Sequence, residues 1–225
     1  MSNGQFKSGE KLVAGVGYNS GVYPSVKVKE HALWRSMLAR CYTERNLQKK
    51  PNYIGCTVSD NFKMYEFFYE WCNEQIGFNE IDENGRQFAL DKDLLIKGNK
   101  VYNESTCVFI PKDINSLLTK SAASRGEHLI GVHWHKKGGA FAATVSKNKG
   151  KSEYLGLFNT ELEAFNTYKK AKESFIKEQA NKFKSQIDPR AYEALMNYTV
   201  EITDWLKSIK LRRKMKWVRL TIKQL

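Results

Sequence analysis

The segment from Gly131 to Lys177 constrains the fold more strongly than any other part of this 225-residue chain. It contains runs of alternating apolar and polar residues, separated by a glycine-containing turn and a basic turn, and a helical pattern follows them. Thr160 and Glu163 have the spacing of a capping box, which marks the start of that helix. The segment therefore predicts a small sheet with one helix packed against it.

Alternation along the first strand of this segment predicts which side chains share a face. Val132 and Trp134 fall on one face, and His133, His135 and Lys137 fall on the other. The two histidines could contact nucleic acid, bind a metal as an i, i+2 pair, or lie on an ordinary solvated strand face. The alternation by itself leaves these interpretations open.

The net charge of the chain indicates the class of molecule that it binds. The chain has 37 Lys and Arg against 24 Asp and Glu, a formal charge of +13. An excess of this size favours a polyanionic partner such as nucleic acid. No apolar run approaches the ~20 residues that a membrane-spanning helix needs, and the N-terminal residues lack the apolar core of a signal peptide. We therefore expect a cytoplasmic protein without a membrane partner.

The four cysteines do not form a Cys-x-x-Cys pair and have strongly apolar neighbours. This pattern predicts buried thiols in a reducing compartment. The alternative is a zinc site, for which the spacing gives little support. Its ligands would be Cys41, Cys56, Cys72 and Cys107.

Two helical patterns lie in the N-terminal half. The first runs from Lys29 to Tyr42, and a loop containing Pro51 and Gly55 and a short Cys-Thr-Val strand follow it. Asp60 is placed to cap the second helix. Its spacing predicts five buried residues, Phe62, Tyr65, Phe68, Tyr69 and Cys72. Aromatic residues clustered at helical period indicate a core rather than a base-stacking surface.

A strand, a loop, a second strand and a helix follow in order. The strands are predicted at 87–95 and 107–110, with a loop at 96–106, and Pro111 opens the helix. The first strand, the loop and the helix carry polar side chains that could serve a site. These residues are Asp91 and Asp93 on the first strand, Asn99 and Asn103 in the loop, and Asn115 on the helix.

This arrangement resembles the HNH nuclease motif, also called ββα-metal, of homing-endonuclease-like proteins from phages and mobile elements. The resemblance rests on Leu90–Asp93 and on the Gly-Asn-Lys-x-Tyr and Cys-x-Phe-x-Pro patterns that follow. A Trp-x-x-Met-x-x-Arg-Cys-Tyr pattern in the first helix adds to it, so that the resemblance covers roughly Val28 to Leu118. It implies an origin in a bacterial host cell.

The resemblance implies a role for four residues. Asp91 takes the position of a metal ligand, and Lys92 takes that of the general base. Asn103 stands near the asparagine that braces the loop, and Asn115 near a second metal ligand. In that family the metal stabilises charge on the scissile phosphate and a histidine activates water. An active enzyme would hold Mg²⁺ on Asp91 and Asn115, whereas an inactive protein would need no cofactor.

The chain departs from the HNH pattern at the position of the general base. No histidine lies between residues 32 and 127, and an exposed lysine is protonated near neutral pH. Asp93, His133 or His135 are other candidates for activating water. The alternative is a purely architectural hairpin whose Asp and Asn residues cap turns.

The 131–177 segment resembles the APETALA/ethylene-response-factor DNA-binding domain of plant transcription factors and homing endonucleases. The matching residues are Gly131-Val132, Phe141–Ala143, Tyr154–Phe158, and Thr160–Phe165 with Tyr168 and Ala171. In that family three antiparallel strands lie in the major groove of DNA and one helix packs behind them. The plant members read guanine with arginines, but this chain has histidines, a serine and lysines, so no guanine preference is implied.

The resemblance and the basic turns together predict the residues that contact DNA. Lysines in the turns would bind phosphates, and strand side chains would read base edges. The predicted contacts in this segment are His133, His135, Lys136, Lys137, Ser146, Lys147, Lys149, Lys151 and Tyr154.

The C-terminal segment begins with a helical pattern at Asp188-Pro189. Its predicted apolar side consists of Tyr192, Leu195, Met196, Thr199, Ile202 and Leu206. The last twenty residues then carry eight Lys or Arg and no acid. We expect Arg212 and Arg213 to contact DNA, although a membrane surface, a partner subunit in a homodimer or a core also fits a basic amphipathic segment.

The sequence therefore predicts an α+β protein with four parts. They are an HNH-like domain at 1–118, a linker at 119–130, a three-stranded DNA-binding domain at 131–180 and a helical basic tail at 181–225. The favoured function is sequence-specific binding of double-stranded DNA, with repression of transcription by occupying an operator. An active Mg²⁺-dependent endonuclease and a non-enzymatic nucleic-acid-associated structural protein are the alternatives.

Overall fold

The computed structural model describes residues 12–118, 128–147 and 152–202 and has a mixed α+β fold. Two compact units are present, and each is described by itself. Of the described residues, the first comprises those up to Pro111 together with Gln186–Ala191, and the second comprises those between Lys112 and Ser185 together with those from Tyr192 onward. Several predicted features lie outside the described residues, namely most of the linker (119–127), Lys149, Lys151, Arg212 and Arg213.

The first unit contains four helices, a short 3-10 helix and four short strands among its described residues. They are α1 (Lys29–Tyr42), α2 (Glu44–Lys49), the 3-10 helix (Pro51–Tyr53), β1 (Thr57–Val58), α3 (Asp60–Lys63), α4 (Tyr65–Glu74), β2 (Ala89–Asp91), β3 (Val101–Tyr102) and β4 (Val108–Ile110). Strand β1 pairs with β3 in parallel, and β2 pairs with β4 in antiparallel fashion. Helix α1 begins and ends where the sequence predicts.

An aromatic core holds this unit together. Trp34, Phe62 and Phe68 are fully buried, and the indole Nε1 of Trp34 donates a hydrogen bond to the carbonyl oxygen of Phe62 at 2.8 Å. The Phe62 ring meets Trp71 and Phe68 at centroid distances of 4.7 and 5.1 Å. Each such side chain removes a large apolar area from water and contributes about 1.5–3 kcal/mol. The aromatic cluster is therefore core, as the sequence predicts.

The start of the second helical pattern differs from the prediction. Ser59, not Asp60, is the cap, because its hydroxyl accepts from the backbone N–H of Phe62. Asp60 is exposed and forms an ion pair with Lys63 at 2.8 Å. The pattern is also divided in two, since Met64 has extended backbone angles between α3 and α4. In α4, Trp71 is buried, whereas the predicted Tyr69 is only half-buried.

Three other predicted boundaries in this unit are wrong. Helix α2 occupies part of the predicted loop after Tyr42, and β3 lies inside the predicted loop at 96–106. The first strand of the hairpin ends at Asp91 rather than at residue 95. It ends there because the Asp91 carboxylate accepts hydrogen bonds from the backbone N–H groups of Asp93 and Leu94, which turns the chain. Asp93 therefore does not lie on the strand.

The second unit contains the predicted three-stranded antiparallel sheet and its helix. Its elements are α5 (Lys112–Leu118), β5 (Val132–His135), β6 (Ala140–Ser146), β7 (Ser152–Phe158) and α6 (Glu161–Lys182), and the last part of α7 (Pro189–Met196) belongs to it. The strand order is β5-β6-β7. Both hydrogen bonds of the capping box are present, between Thr160 and Glu163. This confirms the predicted start of α6.

Helix α6 covers one face of this sheet. Ala143 and Val145 of β6 are fully buried with Ala164, Phe165 and Tyr168 of the helix. Alternation along β6 places these two residues on the same face. The helix and sheet thus form one small core.

Residues 197–202 are not helical, contrary to the prediction that the helix continues through Thr199 and Ile202. Val200 instead joins the core of the second unit. Its backbone N–H donates to Glu173 at 2.8 Å, and its carbonyl oxygen accepts from Lys169 at 2.6 Å. These contacts with α6 satisfy the backbone in place of helical bonds. Among the described residues, no helix is long and apolar enough to cross a membrane.

We expect Gly131→Ala to destabilise the second unit by about 3 kcal/mol or more. Gly131 has a φ of +79°, and a Cβ there would lie 2.1 Å from Cδ2 of the Tyr168 ring. Tyr168 is buried in the core and cannot move aside without cost. Urea denaturation of the purified variant measures the loss.

Gly139→Ala is the matched control. Gly139 also has a positive φ of +58°, but a Cβ there meets no atom within 4 Å. Its cost should be the backbone strain alone, about 1 kcal/mol. Equal losses for the two variants would show that the Tyr168 contact does not matter.

Candidate nucleic-acid interface and the β2–β4 hairpin

The sheet of the second unit has a second face, which α6 does not cover. Residues paired across antiparallel strands point to the same side. Because Ala143 and Val145 face the helix, the alternate residues of each strand face away from it. We call this side the outer face; it carries His133, His135, Ala140, Ala142, Thr144, Ser146, Ser152, Tyr154 and Leu157.

The outer face carries polar groups that are open to solvent. His133 and Ser146 are exposed, and the Tyr154 side chain is 58 % exposed. Thr144 lies directly opposite Tyr154 in the register. The imidazole, hydroxyl and phenol groups can all donate or accept hydrogen bonds. The predicted strand residues are therefore gathered on one surface.

The turn between β5 and β6 holds two cations. Lys136 and Lys137 are both exposed in this turn, at residues 136–139. The prediction that Lys137 shares a strand face with His133 and His135 is wrong, because β5 ends at His135. The N–H of Gly138 donates to Nδ1 of His135 at 3.0 Å and closes the turn. The two ammonium groups consequently lie at the end of the outer face.

Lys147 follows β6 and is already paired. Its ammonium forms an ion pair with the Glu153 carboxylate and lies 5.5 Å from the centroid of the Phe175 ring of α6. Lys147 therefore reaches toward the helix side of the sheet. A phosphate contact by Lys147 would have to compete with Glu153, so Lys136 and Lys137 are the better-placed cations among the described residues of this unit's turns.

Asp91, the predicted metal ligand in the β2–β4 hairpin, is buried at the end of β2. Its Oδ1 accepts from the backbone N–H groups of Asp93 at 2.9 Å and Leu94 at 2.7 Å. Burial, helped by the Asp93 charge, raises the pKa of this carboxyl to about 6. One oxygen of the carboxylate is thus committed to holding the turn.

Lys92, which takes the base position, is buried and has structural partners. Its ammonium donates to the carbonyl oxygen of Asn99 at 2.9 Å and lies 3.4 Å from the Asp93 carboxylate. It also lies 5.8 Å from the centroid of the Tyr102 ring. These contacts hold the Lys92 ammonium against the loop between the strands, and not on an open surface.

Asn99, one of the two loop asparagines that the sequence singles out, is at the centre of this loop. Its Nδ2 donates to the carbonyl oxygens of Lys92 at 2.7 Å and Val101 at 2.8 Å, and to Oγ1 of Thr106 at 3.1 Å. Its Oδ1 accepts from the N–H of Val101. The separation of Asn99 from Thr106 along the chain hides this contact from sequence patterns.

Asn103 holds the end of the same loop. Its Oδ1 accepts from the N–H and hydroxyl groups of Ser105 and Thr106, at 2.8 to 3.0 Å. Thr106 connects Asn103 to Asn99, so Lys92, Asn99, Thr106 and Asn103 form one hydrogen-bonded network. Asn115 is half-buried on α5, in the second unit.

The fit of a divalent metal to this network is poor. Oδ1 of Asp91 and Oδ1 of Asn103 already accept hydrogen bonds, and a cation would meet the ammonium of Lys92 beside Asp93. Among the described residues, no group of three or more His, Cys, Asp or Glu side chains could hold a metal ion. The four cysteines are all free and buried. The hydrogen bonds of Asp91, Lys92 and Asn103 therefore stabilise the hairpin.

We expect the same substitution to have unequal effects at Asn99 and Asn103. Asn99→Asp removes two donors and sets a negative oxygen against two carbonyl groups, which should cost about 2–3 kcal/mol. Asn103→Asp keeps the acceptor oxygen on which all four hydrogen bonds depend, and it should cost less than about 1 kcal/mol. Urea denaturation checks both, and equal losses would contradict the donor and acceptor roles.

Comparisons of this chain with protein-family models, curated proteins and solved structures found no match. The assignment of the outer face and of the hairpin network therefore depends on the geometry of these residues. That geometry separates an open polar surface in the second unit from a closed polar network in the first.

Proposed function

We propose that this protein binds double-stranded DNA in a sequence-specific manner through the outer face of the β5–β6–β7 sheet. The observation that carries the proposal is the sheet face that α6 leaves open. It presents imidazole, hydroxyl and phenol groups, and two exposed lysines lie at its end. Hydrogen-bonding side chains on a regular, rigid element are what reading base edges requires.

The dimensions of the sheet support a place in the major groove. Three strands about 4.8 Å apart give a width of roughly 10 Å between the outer strand axes. The major groove of B-DNA is about 12 Å wide. Strands β6 and β7 each have seven residues, which corresponds to a length of roughly 23 Å. A surface of this size can follow the groove over several base pairs.

The charge of the chain supports a phosphate-rich partner. The net charge is +13, and Lys136 and Lys137 are exposed beside the outer face. Lysines that neutralise phosphates release counterions, so the affinity falls steeply as salt is added. Phosphate contacts would set the register of the sheet on DNA, and the strand side chains would supply sequence preference.

The contacts of the β2–β4 hairpin favour DNA binding without DNA cleavage. Asp91, Lys92 and Asn103 are engaged in holding the loop, and the stretch from residue 32 to 127 has no histidine to act as a local base. A protein that occupies an operator without cutting it excludes other proteins from that DNA. We therefore propose that it acts as a transcriptional repressor by occupancy.

We expect selection of bound duplexes from a random pool to yield a sequence motif. His133→Ala and Tyr154→Ala should each weaken binding to that motif by about 1–3 kcal/mol and relax the preference at one position. Lys136→Ala should weaken binding to all duplexes and lower the salt slope by about 1. Fluorescence anisotropy across a salt series measures both effects.

Lys170→Ala is the matched charge control. Lys170 is exposed on α6, in the second unit, on the side of the helix away from the sheet. Its removal changes the net charge as Lys136→Ala does but should leave the salt slope nearly unchanged. A selection that yields no motif would refute sequence-specific binding and favour a structural nucleic-acid protein.

The endonuclease alternative has its own test. A plasmid carrying the selected motif should remain intact with the wild-type protein in Mg²⁺ or Mn²⁺, because the Oδ1 atoms of Asp91 and Asn103 are engaged in the hairpin network. Metal-dependent nicking that Asp91→Ala abolishes would refute the binding-only proposal. Gel electrophoresis of the plasmid distinguishes the two outcomes.

A further inference from the structure

Leu157 is the one strongly apolar side chain on the described part of the outer face. It is 43 % exposed, whereas its neighbour Phe158 packs against the core beside α6. It stands opposite Ala142 in the register, and Ala142 stands opposite His133. A single exposed leucine needs no explanation by itself. Its position in a row with hydrogen-bonding groups does need an explanation.

His135 lies beside Leu157 and has a defined hydrogen-bonding state. Its Nδ1 accepts from the N–H of Gly138 at 3.0 Å. A neutral imidazole that accepts at Nδ1 carries its proton on Nε2, so Nε2 is a donor. A Cβ built on Gly138 would lie 2.8 Å from this Nδ1 and 3.0 Å from Cδ1 of Leu157. The donor ring and the leucine methyl group therefore flank the same turn residue.

The middle strand has small outer-face side chains at this point. Its outer-face residues here are Ala140 and Ala142, which have the smallest side chains that a strand offers other than glycine. Ala142 is nonetheless fully buried, so it offers no exposed surface of its own to a base. A base that approaches this row meets the side chains of the two edge strands rather than the backbone of β6.

We infer that His135 and Leu157 together read a thymine in the major groove. Nε2–H of His135 donates to the O4 atom, and Leu157 contacts the 5-methyl group. Cytosine presents a donor at this edge and repels Nε2–H, while adenine and guanine offer acceptors without a methyl group. Thymine alone has an acceptor beside a methyl group. This inference rests on the proposed function, that the outer face enters the groove.

The test begins with the motif selected by the full-length protein. Selection repeated with Leu157→Ala should relax the preference at one thymine, which identifies the position. Replacing that thymine with uracil removes only the methyl group and should weaken wild-type binding about 3- to 10-fold. Cytosine at this position should weaken it about 10-fold or more. In 5-bromouracil, the bromine occupies the place of the methyl group and should restore the affinity.

The variants connect the effect to Leu157. Leu157→Ala should bind the thymine and uracil duplexes equally, whereas Leu157→Met keeps an apolar contact and should still prefer thymine. Lys170→Ala, on the exposed side of α6, should discriminate as the wild type does. Circular dichroism confirms that each variant is folded, and Leu157→Met provides the comparison if the alanine variant is not.

The possible failures are distinguishable. A motif without thymine, or one whose thymines all tolerate uracil, overturns the inference and leaves the proposed function standing. Retention of the discrimination by Leu157→Ala does the same. A selection without any motif overturns the proposed function and the inference together.

Discussion

The packing of α6 against one face of the β5–β6–β7 sheet determines what the opposite face can do. Ala143 and Val145 are buried beneath Phe165 and Tyr168, and side chains along a strand alternate in direction. Burial of these residues forces His133 and Tyr154 to the other side. A slip of one residue in the register would exchange the two faces and bury the polar groups at a prohibitive cost. The open polar surface is thus a consequence of the core.

The first unit uses its polar residues differently. Asp91, Lys92, Asn99 and Asn103 lie on the β2–β4 hairpin and the loop within it, and their hydrogen bonds are directed inward to that loop. A buried polar network stabilises a loop only when its members are satisfied. The groups that satisfy one another here are those that a catalytic site would need to keep available. This contrast supports a protein that binds DNA and leaves it intact.

Patterns that repeat over several turns or strands were predictable from the sequence. Helix α1 has the predicted bounds, and the capping box of α6 forms as expected, because each depends on residues that are close along the chain. Short elements were not predictable. Strand β3 has two residues and exists because it pairs with β1, about forty residues earlier. The end of α7 likewise depends on Glu173 and Lys169 of α6, which bind the backbone of Val200.

The sequence by itself determined the strongly basic charge, the α+β character and the shared strand face of His133 and His135, since these follow from composition and from local periodicity. Only the tertiary structure decided how the side chains are used. It set Lys137 in a turn, paired Lys147 with Glu153 and placed Leu157 beside His135. It also enclosed Lys92 in the hairpin network. Hydrogen bonds and ion pairs join residues that are distant along the chain, and no local pattern specifies which partners meet.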